Sequence, residues 1–416
     1  MRETSCVILC ATLVLSLTNL YVGYGSNGWL VAGGAIGVCY VLSRVACKIR
    51  LTQRQRAEAR RVVAASEQAI ALVTCRQPVD PGDANGLVEQ MLAQSRYCLL
   101  LRAQIVSNLT EAQFRRALQA LQNATALVPD GEVVLGKIDD ALDDGKLDNE
   151  EIVATRGRIV QVERFFLDRY PVTNQEYYEF VAGGGYEQMP LWDKPIWPAV
   201  LDLVDRSGMP GPRGWRNGCF AAGEEKLPVV GVSWYEASAY ARWVGKRLPS
   251  DAEWVKAGSW PVTLSATSRL QRKYPWGESM DRTRANLWDS GPERVVPVDQ
   301  FAEGMSVGGV YQLIGNVWEW TSGSFRGGNH SIDELTLPTP MKNIRGGAFD
   351  TYFDNQATCQ FASGENPLRR RHNIGFRCAV GVGDLALIYP ASRQARQTAV
   401  PEADAEEAET AEEVYA

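Results

Sequence analysis

Histidine is almost missing from this chain. Of 416 residues only His330 and His372 are histidine, which excludes a metal site built on three imidazoles. Cysteine is sparse and scattered. The nine are Cys6, Cys10, Cys39, Cys47, Cys75, Cys98, Cys219, Cys359 and Cys378. Their number is odd and no Cys-x-x-Cys pair occurs, so neither a disulfide framework nor a zinc site follows. Positive charge is not in excess. Lys and Arg total 43 against 49 Asp and Glu, a net charge of −6, which points away from nucleic acid as a partner. What the chain does have is 38 Gly and 12 Trp, the mark of a loop-rich region. Its length is enough for two or more domains.

Two apolar runs, residues 6–22 and 29–46, flank the turn-rich Gly23-Tyr24-Gly25-Ser26-Asn27-Gly28. Each has about the length of a minimal membrane span. We therefore expect a two-span membrane hairpin over residues 1–50. Lys48, Arg50, Arg54, Arg56, Arg60 and Arg61 follow the second run, while the connecting hexapeptide has no Lys or Arg. The positive-inside rule then puts the main domain in the cytoplasm.

Residues 51–150 read as a helical spacer ending in an acidic linker. Leu51–Thr74, Gly86–Asn108 and Thr110–Leu127 carry apolar residues at helical spacing. Thr110 stands three residues before Gln113, as in a capping box. Asp140, Asp144, Gly145 and Glu151 fit some positions of a helix-loop-helix calcium loop, but Leu142 occupies a ligand position; an acidic linker accounts for the run. Residues 391–416 lose apolar periodicity. From Pro401 they are acidic with no basic residue, which reads as a disordered tail.

The densest chemistry lies in Gly309–Trp320, where Glu319 sits between Trp318 and Trp320. Buried indoles need partners for their N–H groups, and a buried carboxylate needs a cation or several donors. Two readings stay open: a structural Glu satisfied by protein donors, or an oxygen ligand of a hard cation such as calcium. Upstream, Ser233 with Glu236 and Ser250 with Glu253 open two helices in capping-box fashion.

Six blocks, taken in order, resemble the formylglycine-generating enzyme (sulfatase-modifying factor) family. They are Phe165–Asn174, Pro228–Trp234 with Trp243, Gly245–Trp254 with Tyr274–Gly277, Gly309–Trp320, Arg345-Gly346-Gly347 and Asn373–Cys378. The resemblance implies an α+β, C-type-lectin-like fold with long loops over residues 151–390. It implies a structural calcium ion held by the side chains of Gln312 and Glu319 and the carbonyls of Gly315 and Val317. A second calcium site would begin at Asn286 and Leu287. The two histidines set aside the sulfoxide-synthase branch of the superfamily, which uses a histidine-rich iron site.

The family's oxidase chemistry uses copper held by two cysteines just after the Arg-Gly-Gly motif, soft thiolates suiting monovalent copper. Alignment on Arg345 puts Thr351 and Gln356 at those positions, and neither supplies a thiolate. Cys359 is the one thiol nearby, with Cys378 in the closing motif that Cys219 could approach. The expectation is therefore a domain without cysteine-oxidase activity that acts as a binding module for a protein or a small anionic ligand. Asp350, Tyr352, Phe353 and Asp354 would present one surface, and Arg369, Arg370 and Arg371 a basic edge suited to a carboxylate or phosphate. Two alternatives stand beside it: an active sulfatase-modifying oxidase or other metal-dependent oxidoreductase, and a display protein diversified by a retroelement.

Overall fold

The computed structural model describes residues 83–136, 157–263, 269–325 and 340–390. The expected membrane hairpin, the acidic linker around Asp140–Glu151 and the tail 391–416 lie outside the described residues. Among the described residues no helix is long and apolar enough to cross a membrane.

The first described elements are α1 (Ala84–Ala93), two short helical turns α2 (Tyr97–Leu100) and α3 (Ala103–Val106), and α4 (Glu111–Ala124). Helix α4 starts at a complete capping box. Thr110 Oγ1 accepts the Gln113 N–H at 3.3 Å and Gln113 Oε1 accepts the Thr110 N–H at 2.9 Å.

The chain then departs from the helix expected to run to Leu127. Thr125–Val128 forms strand β1, followed by β2 (Gly131–Leu135), β3 (Arg158–Val162) and β4 (Phe165–Asp168). Strand β1 pairs antiparallel with β4, from Thr125 opposite Asp168 to Val128 opposite Phe165. The β-branched Thr125 and Val128 suit a pleated surface better than a helix. The Thr125 hydroxyl donates to the Leu121 carbonyl at 2.6 Å and closes the helix end.

Over residues 83–128, therefore, the expected spacer is part of the domain. Phe114, Ala117 and Leu121 of α4 share one core cluster with Leu100, Leu101, Phe166, Val380 and Leu385. The apolar faces of these helices are buried by the domain's own sheet, whereas a free spacer would leave them exposed.

Helices α5 (Asn174–Ala182), α6 (Trp234–Trp243) and α7 (Asp251–Ser259) follow, all opened by capping boxes. After α7 comes the small hairpin of β5 (Val262–Thr263) and β6 (Arg269–Leu270). The main sheet is built from β7 (Trp318–Phe325), β8 (Met341–Arg345), β9 (Ala362–Glu365) and β10 (Ile374–Phe376), in the order β10-β7-β8-β9. The last strand, β11 (Ala379–Gly381), returns to β4 and completes the sheet β1-β4-β11.

Aromatic rings fill the space between α5, α6 and the main sheet. Tyr177 stacks on Tyr240 at 5.4 Å, and Tyr240 meets Phe376 edge-on at 5.4 Å. Offset and edge-to-face contacts of this kind add to the burial of the rings themselves. Trp254 of α7 sits in a second cluster with Leu313 and Ile314, which brings α7 against the Gly309–Trp320 segment.

Candidate functional site

Strand β7 carries Glu319 into the interior, where it meets Arg377 from the segment between β10 and β11. Both side chains are fully buried. Arg377 Nη2 donates to Glu319 Oε1 at 2.6 Å and Nε donates to Oε2 at 2.8 Å. The Trp254 indole N–H adds a third donor to Oε2 at 2.8 Å. The remaining guanidinium hydrogens go to the carbonyls of Asp168, Arg169 and Tyr311. One planar fork thus ties four segments together.

This arrangement decides between the two readings of Glu319. Its charge is balanced by Arg377, and both oxygens are taken up by N–H donors. Gln312 is engaged too. Its amide donates to the carbonyls of Pro297 and Gln300, and its Oε1 accepts from Asn316 Nδ2 at 2.7 Å. The set Gln312, Gly315, Val317 and Glu319 therefore does not fit a calcium ion, because its single carboxylate is neutralised by a guanidinium. What the segment does instead is turn. Gln312, Gly315 and Asn316 all have positive φ. A Cβ on Gly315 would stand 2.6 Å from the Asn286 carbonyl oxygen, so glycine is needed there for close approach as well as for φ.

At the second implied calcium position, Asn286 Oδ1 is buried without a hydrogen-bond partner. The amide nitrogen donates to Arg294 O and Asn316 Oδ1. One neutral oxygen makes no cation cage. Among the described residues no three His, Cys, Asp or Glu side chains gather in an arrangement fit for a metal.

The two copper-cysteine positions lie on the loop after β8. Thr351 is buried, and its hydroxyl oxygen accepts the Ala348 N–H at 2.8 Å. Gln356 ends a short 3-10 turn, Asp354–Gln356. Neither residue fits a copper ion. Cys359 is fully buried beneath Gly258 of α7. Burial pushes its thiol well above the ordinary range, against an opposing pull from Arg345. Burial also raises the Cys378 thiol, helped by Asp168 and opposed by Lys246. All four described cysteines, Cys98, Cys219, Cys359 and Cys378, are free thiols, so Cys219 and Cys378 form no disulfide.

The same loop presents an aromatic face. Tyr352 and Phe353 are 62% and 59% exposed and meet edge-on at 5.1 Å. Trp288, which sequence reasoning did not single out, is tied to this loop by its backbone N–H, which donates to the Thr351 carbonyl. Arg282 clamps the group by donating to the carbonyls of Trp288 and Tyr352 and to Asp354 Oδ1 at 2.6 Å. Both Asp350 carboxylate oxygens accept from the Asn373 amide nitrogen, at 3.1 and 3.0 Å. The two carboxylates therefore shape the loop, and the rings face outward.

The basic edge is less uniform than its sequence. Arg369 is exposed, Arg371 pairs with Glu365, and Arg370 turns inward to the buried Glu236 at 2.9 Å.

Comparison with known proteins agrees with this architecture. A profile of the sulfatase-modifying factor enzyme 1-like domain matches residues 110–382. The chain belongs to this family. The match begins at α4, which agrees with the pairing of β1 and moves the start of the domain ahead of residue 151. Hercynine oxygenase of Mycobacterium tuberculosis is 39% identical over 46% of this chain and 44% of its own length. Serine/threonine-protein kinase Pkn1 of Chlamydia trachomatis is 30% identical over 68% of this chain and 42% of its own. The chain thus spans under half of each of these relatives. Inactive C-alpha-formylglycine-generating enzyme 2 of Bos taurus is 31% identical, with 54% of this chain and 80% of the relative covered. Among solved structures, PvdO from Pseudomonas aeruginosa is similar with a TM-score of 0.40 at 21% identity, over 61% of this chain and 93% of PvdO.

Proposed function

We propose that this family member has no cysteine-oxidase activity and works as a binding module for a protein or small ligand. The observation that carries the reading is the loop after β8. Thr351 and Gln356 stand where thiolates would be needed, and the nearest thiol, Cys359, is sealed in the core with its ionisation suppressed. The exposed rings of Tyr352 and Phe353, braced by Arg282, give that loop the rigid aromatic anchors common at interface hot spots. Aromatic side chains contribute large contact area there with few torsions to freeze.

The apolar runs in residues 6–46 and the basic residues after them support a membrane tether with the domain on the cytoplasmic side. Reporter fusions at the hexapeptide and at the C-terminus test that topology; opposite sides of the membrane are expected, and the same side would exclude two spans.

A cuprous-ion titration of the purified chain tests the loss of the oxidase site. The reading expects no tight one-to-one copper binding at the loop after β8. Stoichiometric uptake abolished by Cys359→Ser would contradict it.

A further inference from the structure

The loops at the other side of the Arg369–His372 segment enclose a groove of about 990 Å3. Its lining includes Arg206, Arg213, Arg369, Arg370, Arg371 and His372, opposed by the carboxylates of Asp202 and Asp205. This is a concentration of positive charge on a chain whose net charge is −6. Guanidinium groups clustered in a concave site raise the local concentration of anionic ligands.

The groove is built rather than incidental. Arg370 is its floor. Its side chain is 9% exposed, and it reaches the carbonyls of Val204 and Gly211 and the carboxylate of Glu236. Glu236, itself fully buried, also accepts the Tyr186 hydroxyl at 2.7 Å and the Ser233 N–H at 2.7 Å. The third segment is locked on by backbone bonds: the Gly231 N–H donates to Arg371 O, and the Arg213 N–H donates to Gly231 O.

Of the two opposing carboxylates, Asp205 is committed to the groove wall, while Asp202 is exposed. Asp205 accepts N–H groups from Ser207, Met209 and Gly218 and the Ser207 hydroxyl. It holds the loop that carries Arg206 and Arg213. By contrast, the exposed guanidinium groups of Arg206, Arg213 and Arg369 have no side-chain partner among the described residues. Arg370 Nε is buried and also without a hydrogen-bond partner. Three free guanidinium forks, and a buried fourth with an unused N–H, are arranged around one cavity.

We propose that this groove binds a small polyanion bearing two or more oxyanion groups, phosphoryl or carboxylate, through Arg206, Arg213 and Arg369. Guanidinium forks match the paired oxygens of either group, and the volume suits a metabolite-sized ligand. The groove lining shares no residue with the aromatic face at Tyr352 and Phe353, so variants of one leave the other's side chains in place.

Isothermal titration of the full chain with inorganic pyrophosphate and with citrate tests the assignment. Saturable one-to-one binding of at least one probe is expected. Preference for pyrophosphate identifies a phosphoryl ligand, and preference for citrate identifies a polycarboxylate. Arg213→Ala with Arg369→Ala removes only exposed side chains and should weaken binding by at least about tenfold with the melting temperature retained. A control pair on another surface, Arg115→Ala with Arg164→Ala, should leave affinity unchanged. Absence of saturable binding of both probes by the folded chain overturns the proposal, as does affinity that survives the groove variants or falls equally in the control.

Discussion

Glu319 and Arg377 form a two-pronged ion pair with neither side chain reaching solvent. They are distant in sequence but adjacent in space, because β10 runs parallel to β7 with Gly375 opposite Glu319. Removing one partner leaves a buried charge uncompensated. Glu319→Ala or Arg377→Ala should each cost about 3–5 kcal/mol, read as a large fall in the denaturation midpoint. A calcium chelator should leave the wild-type midpoint unchanged, since Arg377 already balances the carboxylate. A midpoint that drops on chelation and recovers with calcium would show that the pair is not sufficient.

Thiol reactivity separates the described cysteines. Cys359 and Cys378 are fully buried, and burial raises both thiols. Cys219 is only half-buried. In the folded protein, alkylation followed by mass spectrometry should label Cys219 first, and Cys359 and Cys378 only on unfolding. Rapid labelling of Cys359 would place a reactive thiol near the loop after β8 and weaken the binding-module reading.

Acid should loosen the wall of the basic groove. Burial alone would raise the Asp205 pKa, but the Ser207 hydroxyl and the Gly218, Ser207 and Met209 amides outweigh it and hold the carboxyl below its ordinary value. A depressed pKa contributes stability that is complete above the unfolded value and lost as pH falls through the folded one. Hydrogen exchange at the Ser207, Met209 and Gly218 amides should therefore lose protection, after correction for intrinsic rates, as pH falls below the ordinary carboxylate value. Protection that falls equally in Asp205→Asn and the wild type, or that is unchanged by that substitution at neutral pH, would mean Asp205 does not anchor the loop.

Tyr352 and Phe353 should be dispensable for folding. Both are exposed, and their neighbours are clamped through backbone carbonyls by Arg282. Replacing both by Ala should change stability by no more than about 0.5 kcal/mol, as measured by denaturant unfolding. A larger loss would assign the rings a packing role in place of a binding one.

Much of this was legible locally. The capping boxes at Ser233 and Ser250 are four-residue patterns, and both helices start there. Strand β4 and the motif around Arg345 fall where the family blocks place them. What could not be read depends on distant partners. Thr125–Val128 continues an apolar helical pattern, and only pairing with β4 makes it a strand. The run Arg369–Arg371 looks like a solvated stretch, because nothing nearby announces Glu236 in the core. The arginines across the groove, Arg206 and Arg213, lie in a loop without periodicity and carry no motif. The calcium reading of Glu319 rests on residue type and on the family pattern, and nothing in its neighbourhood in the chain announces that Arg377 takes both oxygens.

The most direct measurement is an activity assay on the full chain. It would be loaded with cuprous ion and given a Cys-x-Pro-x-Arg peptide, with mass spectrometry reading the cysteine. With Thr351 and Gln356 at the metal positions and Cys359 sealed in the core, the cysteine should remain unconverted while the protein stays folded. Turnover to formylglycine, lost in Cys359→Ser, would contradict the account and make this chain an oxidase with a single-thiol copper site.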